Sequence, residues 1–409
     1  MKILMLSDFY HPIIGGLERH VKALAEELII AGYSVTVCTI KTKWLPTFEE
    51  QNGVKIIRID GFFQSLPFLF ADRSKRYHPP IQDWLITRKL KRLIEEIKPD
   101  IIHAHGWILH SVLPLKKRYK IPLIVTLHDY GLICPKKIIT RVNSEICSTP
   151  LSNYCITCGR ESYGLVKSLL GYLGVQLNRR ILKHVDKFIA VSQYVRDVHL
   201  INLGLNEDKI TVIPNFYKEE KIDSSKRRML PDEFMLFVGS LRPDRGLKIL
   251  IDAYKALKTK TKLVIIGTEH PKYSYTSTDD VTIIANATHE LVMTACNNCN
   301  FLIIPSIIPS ACPTVAFEAM SCKKAIIGSD IGGLRYIIIN GVTGFLIPPL
   351  NTKALAEAMS FLIENPQISM AMGKKGWELF QKQFSLNSIL PRLEQLYEEL
   401  HAKNEETTR

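Results

Sequence analysis

Short runs rich in isoleucine and valine, each bounded by glycine, proline or a polar turn, alternate along almost the whole chain with longer segments of helical period. The alternation opens with a run at 2–7, a Gly-Gly turn and a helix over 17–31, then runs at 35–40 and 54–59, a helix over 81–97, and runs at 101–105, 123–128 and 187–192. Continuously apolar strands separated by helices point to a parallel sheet covered on both faces, because such strands have no solvated side to alternate with.

The same pattern restarts after 192–203, with runs at 210–214, 234–239, 263–267, 281–285, 301–305 and 325–329 and a helix over 247–257. Two doubly wound Rossmann-like α/β domains are therefore expected, facing across a cleft, with a boundary near residue 205: 1–205 and 206–384. From 352 on the chain reads as helical, and Ser385 stands at the start of a last amphipathic helix, 385–409, that carries Ile389, Leu393, Leu396, Tyr397 and Leu400. At 409 residues with 46% hydrophobic side chains, both domains can fill a core, which excludes disordered, collagen-like and coiled-coil classes.

Lysine and arginine exceed aspartate and glutamate by 53 to 40, and the excess lies in residues 1–200, with 29 basic and 17 acidic side chains. The first domain thus suits an anion: nucleic acid, anionic lipid or a phosphorylated substrate, with a purely solubilising surplus as the other reading. The amino terminus has too short an apolar run for a signal peptide, and no stretch approaches the ~20 apolar residues of a membrane span. A cytoplasmic protein is expected, and its nine cysteines read as thiols or metal ligands before disulfides.

Ligands of open α/β sheets bind beyond the carboxyl ends of the strands. After the first strand, Gly15-Gly16 opens a helix, where backbone amides can approach an anion. Neither Gly-x-Gly-x-x-Gly nor a P-loop motif occurs here, so a dinucleotide dehydrogenase and a P-loop NTPase lose their main support. His103, His105 and His128 end strands, and His128, followed by Asp129, is the best placed to donate a hydrogen bond or shuttle a proton.

In the second domain the segment Gly239-Ser240-Leu241-Arg242-Pro243-Asp244-Arg245-Gly246 puts two arginines in a glycine-bounded turn, suited to a diphosphate. Further on, Pro313 suits a helix start that leaves the amides of Thr314 and Val315 open to an anion, and Glu318 follows one turn later. A carboxylate buried there needs a partner, and a ribose diol would serve.

These elements in this order resemble the family 4 glycosyltransferases, retaining enzymes of the GT-B fold. The resemblance runs from Gly15-Gly16 through Asp100-Ile-Ile-His-Ala-His, Val212-Ile-Pro-Asn215, Phe237-Val-Gly-Ser-Leu and Phe317-Glu-Ala-Met320 to Asp330-Ile-Gly-Gly-Leu and Asn340-Gly-Val-Thr-Gly-Phe-Leu-Ile347. It implies that the first domain takes an acceptor and the second a nucleotide-activated sugar, and that the last helix crosses back to the first domain. By the same resemblance His128 contacts the donor sugar and Gly15-Gly16 lies beside the donor phosphates. Asn215 falls in a family segment, and Glu318 holds the ribose as second acid of the Glu-x7-Glu motif.

Three positions depart from the family pattern: Ser310 stands at the first acid, Ser240 at the arginine of Gly-Arg-Leu, and Arg245 at the lysine of Lys-Gly. The implied reaction is retaining and front-face, with Arg245, Arg242 and the amides of Thr314 and Val315 stabilising the leaving diphosphate. No Asp-x-Asp occurs, which agrees with catalysis that needs no metal. A non-catalytic nucleotide-sugar-binding subunit and a nucleotide-sugar hydrolase or epimerase of the same fold are the alternatives.

Two further expectations concern the first domain. An insertion at about 131–160 holds Cys134, Cys147, Cys155 and Cys158, and the Cys155-x-x-Cys158 spacing suits a structural zinc site, against plain thiols or disulfides. The apolar run 61–70, followed by Arg73, Lys75 and Arg76, and the cations Lys116, Lys117, Arg118 and Lys120 suit peripheral docking on an anionic membrane to reach a lipid-linked acceptor. A nucleic-acid partner is not expected, since the basic runs lack a recognisable binding module.

Overall fold

The computed structural model describes the chain except residues 14, 43, 67–75, 142–144, 149, 151, 220, 221, 223, 271, 272 and 409, and the side chains of residues 117, 178, 407 and 408. It divides into two compact units, Met1–Ile213 with Leu390–Arg409, and Pro214–Ile389.

The first unit runs β1 (Lys2–Ser7), α1 (Gly16–Ile30), β2 (Ser34–Ile40), β3 (Phe48–Gln51), β4 (Val54–Ile59), α2 (Trp84–Ile97), β5 (Ile101–His105), α3 (Leu109–Tyr119) and β6 (Leu123–Leu127). It continues with α4 (Tyr154–Tyr163), α5 (Leu165–Arg179), β7 (Lys187–Ala190), α6 (Gln193–Leu203) and β8 (Ile210–Val212). Its sheet has the order β3-β4-β2-β1-β5-β6-β7-β8. Ile3, Leu4, Met5 and Leu6 of β1 are fully buried, each side chain contributing roughly 1.5–3 kcal/mol to the core. The chain lays its first strands on one side of β1 and places β5 on the other, so the loops after β1 and β5 part at a switch point.

Two details differ from the sequence expectation. The boundary expected near 205 falls later, because β8 pairs in parallel with β7, Phe188 opposite Ile210, and belongs to the first sheet. Strand β3 was not anticipated: its sequence Phe-Glu-Glu-Gln shows no apolar alternation, yet it pairs antiparallel with β4 at the sheet edge. The turn between them is Asn52-Gly53, both at positive φ (51° and 79°), the signature of a two-residue hairpin.

The second unit runs β9 (Phe234–Val238), α7 (Leu247–Ala256), β10 (Lys262–Gly267), β11 (Val281–Ala285), α8 (His289–Asn298), β12 (Phe301–Ile304) and α9 (Thr314–Ser321). It continues with β13 (Ala325–Ser329), α10 (Leu334–Ile337), β14 (Gly344–Ile347), α11 (Thr352–Glu364) and α12 (Pro366–Gln383). Helix α13 (Leu386–Thr408) follows, and from Leu390 it is counted with the first unit. The all-parallel sheet has the order β11-β10-β9-β12-β13-β14, with its switch point between β9 and β12. Alternate residues of these strands feed two cores: Phe234, Leu236, Leu302 and Ile304 on one face, Met235, Phe237, Phe301 and Ile303 on the other.

Candidate functional site

In the first unit the groups after β1, β5 and β6 gather at the switch point. Gly15 precedes α1 in extended conformation; a Cβ built on Gly16 would meet nothing within 4 Å, whereas one built on Gly15 would run into the Glu18 carboxylate, which lies over the start of α1. His20, on α1, lies edge-on to His128 with ring centroids 5.3 Å apart. His105 Nδ1 and His128 Nε2 share a hydrogen bond of 2.9 Å, one donating and the other accepting according to tautomer. His103 bonds on both sides, to the Tyr397 hydroxyl at 2.7 Å and to Thr126 Oγ1 at 2.7 Å.

Among the described residues, His128 Nδ1 and His105 Nε2 are buried without a hydrogen-bond partner. Orphaned ring nitrogens in an otherwise bonded cluster are an unfilled demand that a ligand can meet. Burial holds the ring cluster neutral. It pushes His103 and His128 down to about 3, with His20 opposing the charge of the first and His103 that of the second, and His20 and His105 lie well below the usual histidine range. Burial also takes His110 to about 3 and His199 to about 4.

That arrangement fixes a pH dependence. Histidines depressed in the folded state take up protons on unfolding below about pH 6.5, so their stabilisation is complete at neutral pH and is lost as pH falls toward 4. Each contributes at most ~1.4 kcal/mol per pH unit. The urea midpoint should therefore fall steadily from pH 7 to pH 5, and a midpoint unchanged over that range would contradict a neutral cluster.

A second network at the same switch point was not anticipated. Asp8 accepts from the backbone amides of Trp107 (3.1 Å) and Ile108 (2.8 Å) at the start of α3. Gly106, just before them, holds φ 104°, where a Cβ would stand 2.8 Å from Asp8 Oδ2. Lys137 Nζ lies 3.6 Å from Asp8, 3.7 Å from Asp129 and 4.2 Å from the centre of the Trp107 ring. Burial works against its ammonium, but Asp129 and Asp8 outweigh it and hold the Lys137 pKa above the ordinary lysine range. Lys137 lies in a loop of no period, so its partners were invisible in the sequence.

In the second unit three loops converge at the β9–β12 switch point. Gly246, at φ 78°, packs so closely that a Cβ would lie 1.8 Å from the Pro305 carbonyl, and Ile307 N donates to Asp244 O at 3.0 Å. Gly333 N donates to Ser310 O at 2.8 Å, which ties the 330–333 loop to the same place. Arg245 Nη1 donates to Ser310 Oγ at 3.1 Å, and burial pulls its guanidinium below the ordinary arginine range while Asp244 supports its charge.

Arg242 turns instead to Asp244 and stays exposed, and Ser240 is half-buried, its carbonyl accepting from Arg242 N at 2.8 Å. Pro313 caps α9, and its carbonyl takes the Ala316 amide, which leaves the Thr314 and Val315 amides as first-turn donors without an intrahelical acceptor. Glu318 is 3% exposed, with Cys296 and Cys322 in its field. Asn215 is buried with its Oδ1 unpartnered among the described residues, and its backbone reaches Cys312. Arg245, Ser310 and the α9 terminus are thus brought together.

The sequence agrees with what this geometry suggests. Residues 14–221 match the model described as Glycosyltransferase Family 4, and residues 218–378 that described as Glycosyl transferases group 1. The chain belongs to glycosyltransferase family 4. An uncharacterized glycosyltransferase of Methanocaldococcus jannaschii is 27% identical over 98% of this chain and 99% of its own length. A glycogen synthase of Mycobacterium tuberculosis is 26% identical over 97% of this chain and 94% of its own length.

Among solved structures, sucrose-phosphate synthase from Thermosynechococcus elongatus gives a TM-score of 0.74 at 22% identity, covering 98% of this chain and 100% of that one. Anabaena Alr3699/HepE in complex with UDP and glucose gives 0.69 at 18%, with 98% and 100% covered. At these identities the likeness establishes the fold, and this family 4 chain has the GT-B architecture expected of it.

The zinc expectation is not met. Among the described residues no group of three or more His, Cys, Asp or Glu side chains is arranged to hold a metal ion. The Cys134 thiol instead donates to the Ile138 carbonyl at 2.9 Å, and burial pushes its pKa up to about 12. Cys158 is buried with Lys136 Nζ 3.5 Å from its sulfur. Cys147 and Cys155 are half-buried.

For the membrane expectation, Phe68, Phe70, Arg73 and Lys75 lie outside the described residues. Of the second basic group, Lys116 is paired with Asp186 at 2.7 Å. No helix among the described residues is long and apolar enough to cross a membrane.

Proposed function

We propose that this family 4 glycosyltransferase is a retaining hexosyltransferase. It moves a sugar from a nucleoside diphosphate donor to a glycan or lipid-linked acceptor in cell-surface polysaccharide, glycolipid or glycoprotein assembly. It works without a catalytic metal, in the cytoplasm and peripherally on the inner face of the membrane. The observation that carries the reading is Arg245, held by Ser310 beside the open amino end of α9.

In this reading the bond between the anomeric carbon and the diphosphate breaks, and its electron pair leaves with the phosphate oxygen. Arg245, Arg242 and the Thr314 and Val315 amides stabilise the charge that collects there. The acceptor hydroxyl oxygen bonds to the anomeric carbon on the same face, and its proton passes to the departing phosphate oxygen. Glu318 and Asn215 receive the nucleoside, Ser240 and Ser310 line the diphosphate turn, Gly15 and Gly16 offer backbone amides, and His128 bonds the donor sugar through Nδ1.

Since the Anabaena relative was solved with UDP and with UDP-glucose, uridine diphosphate sugars head the donor panel. A bound donor should raise the melting temperature, by about 2.7 kcal/mol of stability at a hundred times Kd. Transfer to an acceptor then supports the reading. Hydrolysis alone would make the chain a nucleotide-sugar hydrolase, and binding without turnover a non-catalytic subunit, the reading that Ser310 in place of an acid favours. No shift with uridine, guanosine or adenosine diphosphate sugars would overturn all of these.

A further inference from the structure

Helix α5 carries Leu165, Val166, Leu169, Leu170, Leu173 and Leu177, and all six are exposed, Leu177 at 71% and Val166 at 68%. At ~100° per residue they fall within a single stripe about 140° wide. The opposite side of the helix seats it in the fold. Ser168 and Val175 are buried there, and Gly174 approaches so closely that a Cβ would lie 2.6 Å from the Pro80 carbonyl. Helix α4 packs alongside through Gly159, where a Cβ would lie 2.8 Å from Ser168 Oγ. The leucines are therefore displayed by a helix that is already packed. A continuous apolar stripe of this kind marks an interaction surface.

The surrounding charge selects the partner. Between residues 154 and 184 the only acid is Glu161, against Arg160, Lys167, Arg179, Arg180 and Lys183. Arg160, Arg179, Arg180 and Lys183 are exposed. A second copy of the chain docking by this face would oppose one set of cations to another, whereas an anionic bilayer offers acyl chains for the leucines and headgroup charge for the rim.

We propose that α5, with its basic rim, is the surface by which the first unit docks on an anionic membrane. The inference rests on the peripheral, lipid-linked reading given above and places its contact on α5 rather than on the 61–70 segment. One short helix and a few cations give reversible, salt-sensitive attachment.

The full chain is sedimented with vesicles of phosphatidylcholine alone and of phosphatidylcholine with phosphatidylglycerol, at low and high salt. Binding should require the anionic lipid and weaken with salt. The Leu169→Ser, Leu173→Ser, Leu177→Ser triple variant should lose it by tenfold or more, and Arg179→Ser with Arg180→Ser by roughly twenty-five-fold, taking about fivefold per cation. These side chains are exposed, so the variants should keep the wild-type melting temperature and its shift by nucleotide sugar. A Phe68→Ser, Phe70→Ser variant should bind as wild type.

Wild-type protein left in the supernatant, equal binding to neutral vesicles, or full binding by the leucine variant would each overturn the proposal. So would a dimer that the leucine substitutions dissolve. In each case a retained nucleotide-sugar shift would leave the transferase reading standing.

Discussion

In the reading proposed above, Arg245→Ala should lower donor affinity by roughly ten- to a hundredfold, the effect of removing hydrogen bonds to a charged group worth about 1.5–3 kcal/mol. The arginine is half-buried between two loops that glycines allow to touch, and Ser310 fixes one of its nitrogens at 3.1 Å. Its guanidinium is therefore held in place before a phosphate arrives, and little is spent on ordering it. Turnover falls further than affinity, because charge on the diphosphate grows as the sugar bond breaks. Arg245→Lys keeps the charge but not the planar fork and recovers only part of both quantities. Titration calorimetry with a uridine diphosphate sugar and steady-state rates check it, and wild-type affinity in the alanine variant would remove Arg245 from the donor site.

His128→Ala acts in the opposite proportion, with donor affinity within about threefold of wild type and kcat lower by ~10²–10⁴. The ring is neutral, and its one bonded nitrogen is taken by His105, so it offers a ligand a single atom, Nδ1. In the reading proposed above, such an atom would add little to donor affinity but would position the reacting sugar. Because removing His128 also strips His105 of its partner, the control is His105→Gln. It should change the tautomer balance of His128, seen by nitrogen NMR, and lower kcat by less. Full turnover in His128→Ala would end the assignment.

Most of the architecture was legible because a buried parallel strand can only be spelled with apolar residues. Hence β1, β4, β5, β11 and β13 fall where the isoleucine and valine runs lie. The glycine-bounded turns were legible for a related reason, since a loop that passes within van der Waals distance of another backbone has no room for a Cβ, as at Gly246. Strand β3 was missed because an edge strand needs no apolar face, although Asn52-Gly53 announced its turn.

The Asp8–Lys137–Asp129 network was hidden because Asp8 is far from the other two in sequence and meets them only through β-strand order. The cysteine spacing misled because spacing says nothing about where a thiol's hydrogen points, and the Cys134 thiol is engaged by a carbonyl four residues away. Helix α5 escaped notice since its apolar residues flank a buried small-residue strip, which blurs the expected contrast between faces.

The return of residues 390–409 to the first unit sets the order in which the protein can be made. His103 and Tyr397, bonded at 2.7 Å, are 294 positions apart in the chain. At ~5–20 residues per second the ribosome needs roughly 15–60 s to travel from one to the other. Throughout that time the histidine ladder lacks the hydroxyl that closes its far end. The second unit, being contiguous, is complete sooner. The half of the molecule that is translated first is therefore finished last, by its own carboxyl-terminal helix.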